Sequence, residues 1–173
     1  MTARQRILGI DPGSRVTGFG LVDFANERAC YVASGSISST DGPFAERLRL
    51  IFRAVGEIVA EYRPQAVAIE SVFVHRNAMS ALKLGQARSA ALCATFALDI
   101  DVYEYAPREI KQAVVGSGAA TKTQVQHMVV SLLGLNGRPL PDAADALAAA
   151  LCHGNQRRLR ERLTGAAIVA GLR

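Results

Sequence analysis

The first forty residues alternate between short, mostly apolar runs and tight polar connections. Apolar runs bounded by turn residues are typical of strands, and tight connections favour antiparallel neighbours. The chain therefore opens with a predicted antiparallel meander of three strands. These strands are Arg6–Asp11, Thr17–Phe24 and Ala29–Ser38, with a turn at residues 26–28.

Beyond this meander the apolar spacing changes to that of a helix. Apolar residues recur at steps of four and three from Phe44 to Tyr62, after Pro43, a residue that suits the start of a helix. Residues 65–69 then form a short apolar run, typical of a buried strand, that ends at Glu70. The chain thus passes from the meander through a helix and back to a strand.

The remaining pattern continues this alternation and ends in helices. The predicted elements are a helix over 78–98, a strand over Asp101–Tyr105, a short helix from Pro107, a helix after a capping box at Thr121–Gln124, and a helix over Pro141–His153. This order predicts an α/β fold with a mixed five-stranded sheet flanked by helices. We expect one domain over residues 1–156 and a basic tail over 157–173, for which disorder is one interpretation.

Small side chains line one face of the helix predicted over residues 78–98. A stripe of small residues lets another backbone approach closely, and two interpretations are open. Packing against the sheet is the favoured one, and a contact with a second copy of the chain is the alternative. The stripe consists of Ala78, Ala81, Gly85 and Ser89.

Composition adds little to the fold but bears on the partner. Half of the residues are hydrophobic and 20% are charged, as in an ordinary globular protein, while the net charge of +5 favours a polyanionic partner without establishing one. Cys30, Cys93 and Cys152 lack metal-ligand spacing and lie among apolar residues, which predicts buried, reduced thiols. With no apolar run of signal-peptide or membrane-spanning length, we expect a soluble, cytoplasmic protein without membrane contact.

Four acidic residues stand at the ends of predicted elements. Asp11 ends the first strand, Glu70 ends the fourth, and Asp142 and Asp145 share a face at the start of the last helix. If the first and fourth strands are parallel neighbours, their terminal carboxylates come close together at one sheet edge. Gathered carboxylates repel one another, and an all-oxygen ligand set without His or Cys suits Mg²⁺ or Mn²⁺.

Each acid also has a simpler interpretation when it is considered alone. Asp11 begins an Asp-Pro-Gly sequence, where Asp is common for turn geometry. Glu70 fits a solvated loop, and Asp142 fits a helix N-terminus that favours negative charge. The simple interpretation is weaker for Asp145, which has alanines and a leucine around it. The conjunction of all four therefore carries more weight than any one of them.

Five segments, in order and with compact spacing, carry a resemblance to a known family. They are ILGIDPGSRVTGFGLVD at 7–23, AIESVFVHRNAMSALKLGQARSAAL at 68–92, EIKQAVVGSG at 109–118, KTQVQHMV at 122–129 and PDAADALAAALCH at 141–153. Together they resemble the RuvC family of crossover junction endodeoxyribonucleases, or Holliday junction resolvases. The resemblance covers nearly all of the chain from Ile7 to His153.

The resemblance implies a ribonuclease-H-like fold, a homodimer and a two-metal nuclease site. Its catalytic and metal-binding carboxylates fall on Asp11, Glu70, Asp142 and Asp145, with Asp142 the least secure ligand because the family's third acid is not always Asp. Two Mg²⁺ ions per active site are implied, with Mn²⁺ as a substitute, and hydrolysis would leave a 5′-phosphate and a 3′-hydroxyl.

Six further residues are predicted to contact DNA. Lysines similar to Lys111 and Lys122 assist catalysis or contact phosphate in the family, although a solvated helix surface is the competing interpretation. Aromatic Phe73 either stacks on junction bases or anchors its loop in the core, and the resemblance favours the first. The remaining three are expected to follow the phosphates, namely Arg76, Lys83 and Arg88.

The predicted function is the resolution of four-way DNA junctions by paired symmetric nicks, in homologous recombination and DNA repair. The resemblance also suggests cooperation with the RuvA–RuvB branch-migration complex. Three alternatives stay open at this point. They are a nucleotide-binding phosphotransferase-like module, another ribonuclease-H-like nuclease acting on RNA or hybrids, and a catalytically silent junction-binding module.

Overall fold

The computed structural model describes residues 4–25, 28–71 and 77–171, and it describes side chains as far as Arg160 and at Leu163. Its elements follow the predicted order. They are β1 (Gln5–Asp11), β2 (Val16–Ala25), β3 (Arg28–Ser38), α1 (Phe44–Tyr62), β4 (Ala66–Glu70), α2 (Ala78–Thr95), β5 (Asp101–Tyr105), α3 (Pro107–Val115), α4 (Lys122–Leu133) and α5 (Pro141–Gly171). The predicted turn includes Asn26 and Glu27, which lie outside the described residues.

The five strands form one mixed sheet in the order β3-β2-β1-β4-β5. The first three strands pair antiparallel, which confirms the predicted meander, and β4 and β5 extend the sheet in parallel with β1. The predicted α/β fold with a mixed five-stranded sheet is therefore confirmed. In particular, β1 and β4 are the parallel neighbours that the prediction of the acidic site required.

Two apolar cores lie on opposite faces of this sheet, and the alternation of side chains along β1 separates them. Leu8 and Ile10 belong to the core that α1 and α2 cover. Ile7 belongs to the core under α3, α4 and α5. By the same alternation, Gly9 and Asp11 face α5, so Asp11 is the last residue of β1 on that face.

Helix α5 lies directly on the backbone of the sheet because glycines leave room for it. A Cβ atom at Gly9 would come within 1.9 Å of the Ala146 carbonyl oxygen, and one at Gly20 within 2.8 Å of the Leu147 amide nitrogen. Gly9 and Gly20 are paired across β1 and β2, so they form a flat strip under the helix. This close approach fixes the height of α5 above the strands.

The last helix is longer than the sequence predicted. Its predicted end was His153, but α5 continues to Gly171. The arginine-rich stretch that follows His153 is therefore part of the helix. The prediction ended the helix too early because Gly154 and Asn155, residues typical of helix ends, directly follow His153. In the structure Gly154 is instead a point of close packing, since a Cβ there would lie 2.1 Å from the Phe24 ring. In the described residues, no helix is long and apolar enough to cross a membrane.

The small-residue stripe of α2 does not pack on the sheet, so the favoured interpretation was wrong. The sheet-facing side of α2 is formed instead by Ala87, Ala91 and Ala94, all of which are buried. Gly85, in the stripe, has open space where a Cβ would be. The stripe helps to line an open groove on the outer side of α2, which contains Ala81, Leu82, Gly85, Ser89, Ala90 and Cys93 and is completed by Leu48.

Two of the three cysteines are also exposed, contrary to the prediction. Cys152 is buried as expected, but Cys30 and Cys93 are exposed. Cys30 lies on β3, the edge strand of the sheet, and Cys93 lies on the outer side of α2. Apolar neighbours in the sequence were a poor guide here because alternate residues of a strand, and opposite sides of a helix, face different surroundings.

Candidate active site

Asp11 and Glu70 end two adjacent parallel strands. The last paired residues of β1 and β4 are Ile10 and Ile69, and each acid directly follows its member of this pair. Both acids are partly buried, whereas the isoleucines before them are fully buried in the opposite core. The two carboxylates therefore leave the sheet side by side on the α5 face, as the sequence predicted.

The turn after Asp11 is held in place from several sides. The Thr17 hydroxyl donates to the Gly13 carbonyl oxygen at 3.0 Å, and the Ser39 amide donates to the Arg15 carbonyl oxygen at 2.7 Å. Arg47 of α1 donates a further hydrogen bond to the Ser14 carbonyl oxygen. These contacts fix the point at which β1 stops, and with it the position of the Asp11 carboxylate.

Helix α5 brings the other two acids to this edge. Gly18 is paired with Asp11 across β1 and β2, and a Cβ at Gly18 would lie 2.0 Å from the Asp142 carbonyl oxygen. The first turn of α5 therefore rests on the strand next to Asp11. Gln126 of α4 supports the entry to the helix by donating to the Pro139 carbonyl oxygen at 2.8 Å.

The four acids act on one another through their charges. The pKa of Asp11 is raised to about 7, first by burial and then by the carboxylates of Asp145 and Glu70, with a smaller contribution from Asp142. Burial and then the charge of Asp145 also raise the pKa of Glu70. Mutual repulsion of this kind was expected from the sequence, and its direction is confirmed for both groups.

Lys122 provides a positive charge beside these acids. Its ammonium lies 3.1 Å from Asp145 Oδ2, and this contact raises the pKa of Lys122. The Lys122 charge lowers the pKa of both Asp11 and Glu70, against the larger effect of burial, and Lys111 of α3 lowers the pKa of Glu70 in the same way. The two lysines predicted from the sequence are therefore close enough to act on the acidic group.

The donor chemistry of this group fits a hard divalent cation. All four acids offer carboxylate oxygens, the ligands that Mg²⁺ and Mn²⁺ prefer, and burial together with neighbouring carboxylates raises the pKa of two of them, Asp11 and Glu70. Within residues 4–25, 28–71 and 77–171, no three Asp, Glu, His or Cys side chains converge tightly enough to hold an ion. The backbone thus places the four donors at one edge of the sheet, while the described side chains do not form a closed ligand set.

The other residues predicted to contact DNA have different positions. Phe73 and Arg76 lie outside the described residues. Lys83 of α2 is exposed, with its ammonium 5.9 Å from the centre of the Phe44 ring of α1. Arg88 is only 18% exposed and forms an ion pair with Glu104 of β5 at 2.7 Å. Lys83 and Arg88 are not among the groups whose charges shift the pKa of Asp11 or of Glu70.

Sequence reasoning missed the residues that support the site without carrying its charge. Gly18 sets the distance between α5 and Asp11, and Arg47 holds the loop after Asp11. The glycines did leave a signal, because Gly9, Gly18 and Gly20 recur within strand patterns, where glycine indicates a close backbone approach. Arg47 left none, since its contact joins residues 33 positions apart.

Comparison with known proteins gives one consistent result. The family model described as "Crossover junction endodeoxyribonuclease RuvC" matches residues 7–153. A protein of that name from Alkalilimnicola ehrlichii is 54% identical over 158 residues, covering 91% of this chain and 96% of its own. One from Neisseria meningitidis is 56% identical over 154 residues, covering 88% of this chain and 86% of its own.

A solved structure agrees with these sequence relatives. RuvC of Thermus thermophilus, in complex with a Holliday junction substrate, superimposes with a TM-score of 0.84 at 37% identity. The match covers 90% of this chain and 96% of that one. Both the fold and the linear order of elements are therefore shared with a protein that has been seen bound to a junction.

Proposed function

Because this chain belongs to the RuvC family of crossover junction endodeoxyribonucleases, we propose that Asp11, Glu70, Asp142 and Asp145 form its catalytic metal site. The protein is a Holliday junction-resolving endonuclease, and its family is metal-dependent. The observation that carries the proposal is the coupling of Asp11 to the three other acids at one sheet edge. We propose Mg²⁺ as the ion, two per site, with Mn²⁺ as a substitute.

Each acid has a proposed part in this site. Asp11 would help to hold both ions, since its charge interacts with those of the three other acids. Glu70 would hold one ion, and Asp145, with Asp142, would hold the second. The chemistry that two bound ions supply is a lower pKa for the attacking water and stabilisation of the leaving 3′ oxygen, which yields a 5′-phosphate and a 3′-hydroxyl.

We propose that basic and aromatic residues around this site hold the DNA. Lys122 is 81% exposed and stands beside Asp145, so its ammonium is accessible to a phosphate near the reacting bond. Lys111 is also near the site, since its charge lowers the pKa of Glu70. Lys83 and Arg76 are proposed phosphate contacts farther away, and Phe73 a stacking residue. The Glu104 ion pair makes Arg88 a weaker candidate than these.

We further propose that the protein acts as a homodimer through the groove on α2. Leu82, which lines it, is 56% exposed, and Met79 on the same helix is 59% exposed. Small residues on the groove permit a close approach of a second helix. A two-fold dimer would present two active sites in the relation that symmetric nicking of a four-way junction requires. From the resemblance to the family, we also propose the RuvA–RuvB branch-migration complex as a partner.

The decisive experiment is cleavage of a synthetic four-way junction in the presence of Mg²⁺. We expect paired nicks that a ligase can seal, with no cleavage of a linear duplex of the same sequence. An RNA–DNA hybrid serves as the competing substrate, and preferential cleavage of the hybrid would favour the other class of ribonuclease-H-like nuclease.

The assignment of the acids is tested in the same assay with matched variants. Asp145→Asn should abolish cleavage while junction binding persists, since the residues proposed to hold the DNA are all retained. Asp99→Asn is the control, because it removes the same charge from an exposed residue before β5, at the opposite edge of the sheet. Cleavage retained by Asp145→Asn at matched Mg²⁺ would overturn its assignment.

A further inference from the structure

The ion pair between Lys122 and Asp145 joins two side chains of very different freedom. The Lys122 side chain is 81% exposed, whereas that of Asp145 is 19% exposed. Asp145 is fixed on the part of α5 that rests on the sheet, between the buried residues Ala144 and Ala146. The ammonium can therefore leave the carboxylate by simple side-chain rotation, while the carboxylate has little room to leave the ammonium.

The position of Lys122 is unfavourable for the helix that carries it. Lys122 is the first residue of α4, whose N-terminal capping box is formed by Thr121 and Gln124. The N-terminus of a helix carries partial positive charge and favours acidic residues rather than lysine. A cation at this point is explained by the acids that it faces, since Asp145, Asp11 and Glu70 all interact favourably with its charge.

We propose that Lys122 is a displaceable counter-ion of the acidic group: its ammonium pairs with Asp145 while no cation is bound, and it transfers to a DNA phosphate when a divalent ion takes its place. This inference rests on the metal site of the proposed function and assigns the exchange to one residue. The ammonium and the ion both need the same carboxylate, so each weakens the binding of the other.

The exchange links metal binding to DNA binding. A bound ion frees Lys122 for phosphate, and a phosphate that holds Lys122 frees Asp145 for the ion. By thermodynamic reciprocity, each ligand raises the affinity for the other by the same factor. The link depends on the ion pair that Lys122 forms with an acid of the site, and among the described residues neither Lys111 nor Lys83 has such an ion pair.

The test measures Mn²⁺ affinity of the full chain without DNA, by electron paramagnetic resonance. Lys122→Met should bind Mn²⁺ about three- to fivefold more tightly than the unaltered protein, the factor expected for removal of one exposed ion pair. Lys122→Arg, which keeps the pair, should stay near the original affinity. Lys111→Met should have a smaller effect, because its charge acts on Glu70 from farther away, and Lys83→Met should have none.

The outcomes separate this inference from the proposed function. If the unaltered protein binds no Mn²⁺, the metal site fails and the exchange fails with it. If it binds Mn²⁺ and Lys122→Met binds no more tightly, the exchange alone is overturned and the metal site stands. Equal gains in Lys122→Met and Lys83→Met would also overturn it, since they would reflect net charge alone.

A second measurement follows Lys122 directly, without any substitution at the site. Reductive methylation with ¹³C-formaldehyde labels the lysines and retains their charge. The variants that each lack one lysine assign the NMR signals to individual residues. Titration with Mg²⁺ should shift the Lys122 signal and leave the Lys83 signal in place. A Lys122 signal that does not respond to saturating Mg²⁺ would contradict the displacement.

Discussion

At the scale of single residues, Asp11 shows how a site can oppose the stability of its own fold. The carboxylate stands at the end of a buried strand beside three other acids, and its pKa of about 7 reflects the cost of holding that charge there. Without a cation this arrangement is strained electrostatically. Function and stability should therefore respond in opposite directions when the charge is removed.

We expect Asp11→Asn to abolish junction cleavage and to raise the melting temperature of the metal-free protein by about 2 °C, as relief of roughly 1 kcal/mol would do in a chain of this size. The amide keeps the shape of the side chain and removes the repulsion with Asp145 and Glu70. Scanning calorimetry with a chelator present checks the stability, and Asp99→Asn is the control. A lower melting temperature would contradict the repulsion.

His153 gives a second residue-scale prediction, on pH. It is 4% exposed, its Nδ1 lies 2.8 Å from the Tyr105 hydroxyl, and burial, followed by the charges of Arg157 and Arg160, lowers the pKa of His153 to about 4. The unfolded chain therefore binds a proton that the folded chain rejects between about pH 6.5 and 4. Stability should fall across this interval as pH is lowered, by about 2–3 kcal/mol from this group.

Urea unfolding at several pH values measures that contribution. His153→Phe removes the titrating group, so its stability should decline less steeply between pH 6.5 and 4 than that of the unaltered protein. Equal slopes in the two proteins would show that His153 does not titrate in this way.

At the scale of elements, the contact between α5 and the sheet sets the geometry of the site. The helix delivers Asp142 and Asp145 to strands that end in Asp11 and Glu70, and glycines in β1 and β2 determine how closely it lies. Any added bulk under its first turn should move two acids relative to the other two.

We expect Gly18→Ala to lose most of the cleavage activity while the protein stays folded. Its Cβ would lie 2.0 Å from the Asp142 carbonyl oxygen, so the first turn of α5 must shift, at a cost of about 1–3 kcal/mol. Gly56→Ala is the control, because Gly56 lies within α1 with open space around it and should gain about 1 kcal/mol in helix propensity. Cleavage at the original rate by folded Gly18→Ala would contradict the role of this contact.

The same scale shows what the sequence could and could not predict. Apolar periodicity placed the strands, but the parallel pairing of β1 and β4 was only a condition of the predicted acidic site, and the structure supplies it. The Lys122–Asp145 pair could not be predicted, because it joins elements 23 residues apart whose orientation depends on packing. Cys30 and Cys93 were misplaced because neighbours in sequence do not define a face. The predicted helix α5 was too short because Gly154, a residue typical of helix ends, follows His153.

At the scale of the whole molecule, the open groove belongs to α2, which covers the face of the sheet opposite to α5. Its exposed leucine and small residues are the features on which the proposed dimer depends. The site itself is complete within one chain, since all four acids come from the same sheet and helix. Loss of the dimer should therefore change the pattern of cleavage without removing its chemistry.

We expect Leu82→Glu to convert the protein to a monomer, because it places a charge in the proposed contact. Analytical ultracentrifugation measures the change, and the junction assay should then show single, unpaired nicks. Leu132→Glu on α4 is the control, since Leu132 is also exposed, at 44%, but lies outside the groove. A Leu82→Glu protein that stays dimeric would require another interface.

The placement of Asp142 and Asp145 on the last helix also has a consequence for biosynthesis. The ribosome translates β1, β4 and α3 before α5, so a nascent chain carries Asp11 and Glu70 before Asp142 and Asp145 have been added. An incomplete translation product then has half of the acids and no helix over the glycine strip. If the four acids form the proposed site, such a fragment should be unable to cut DNA, and nuclease activity should require synthesis to have passed residue 145.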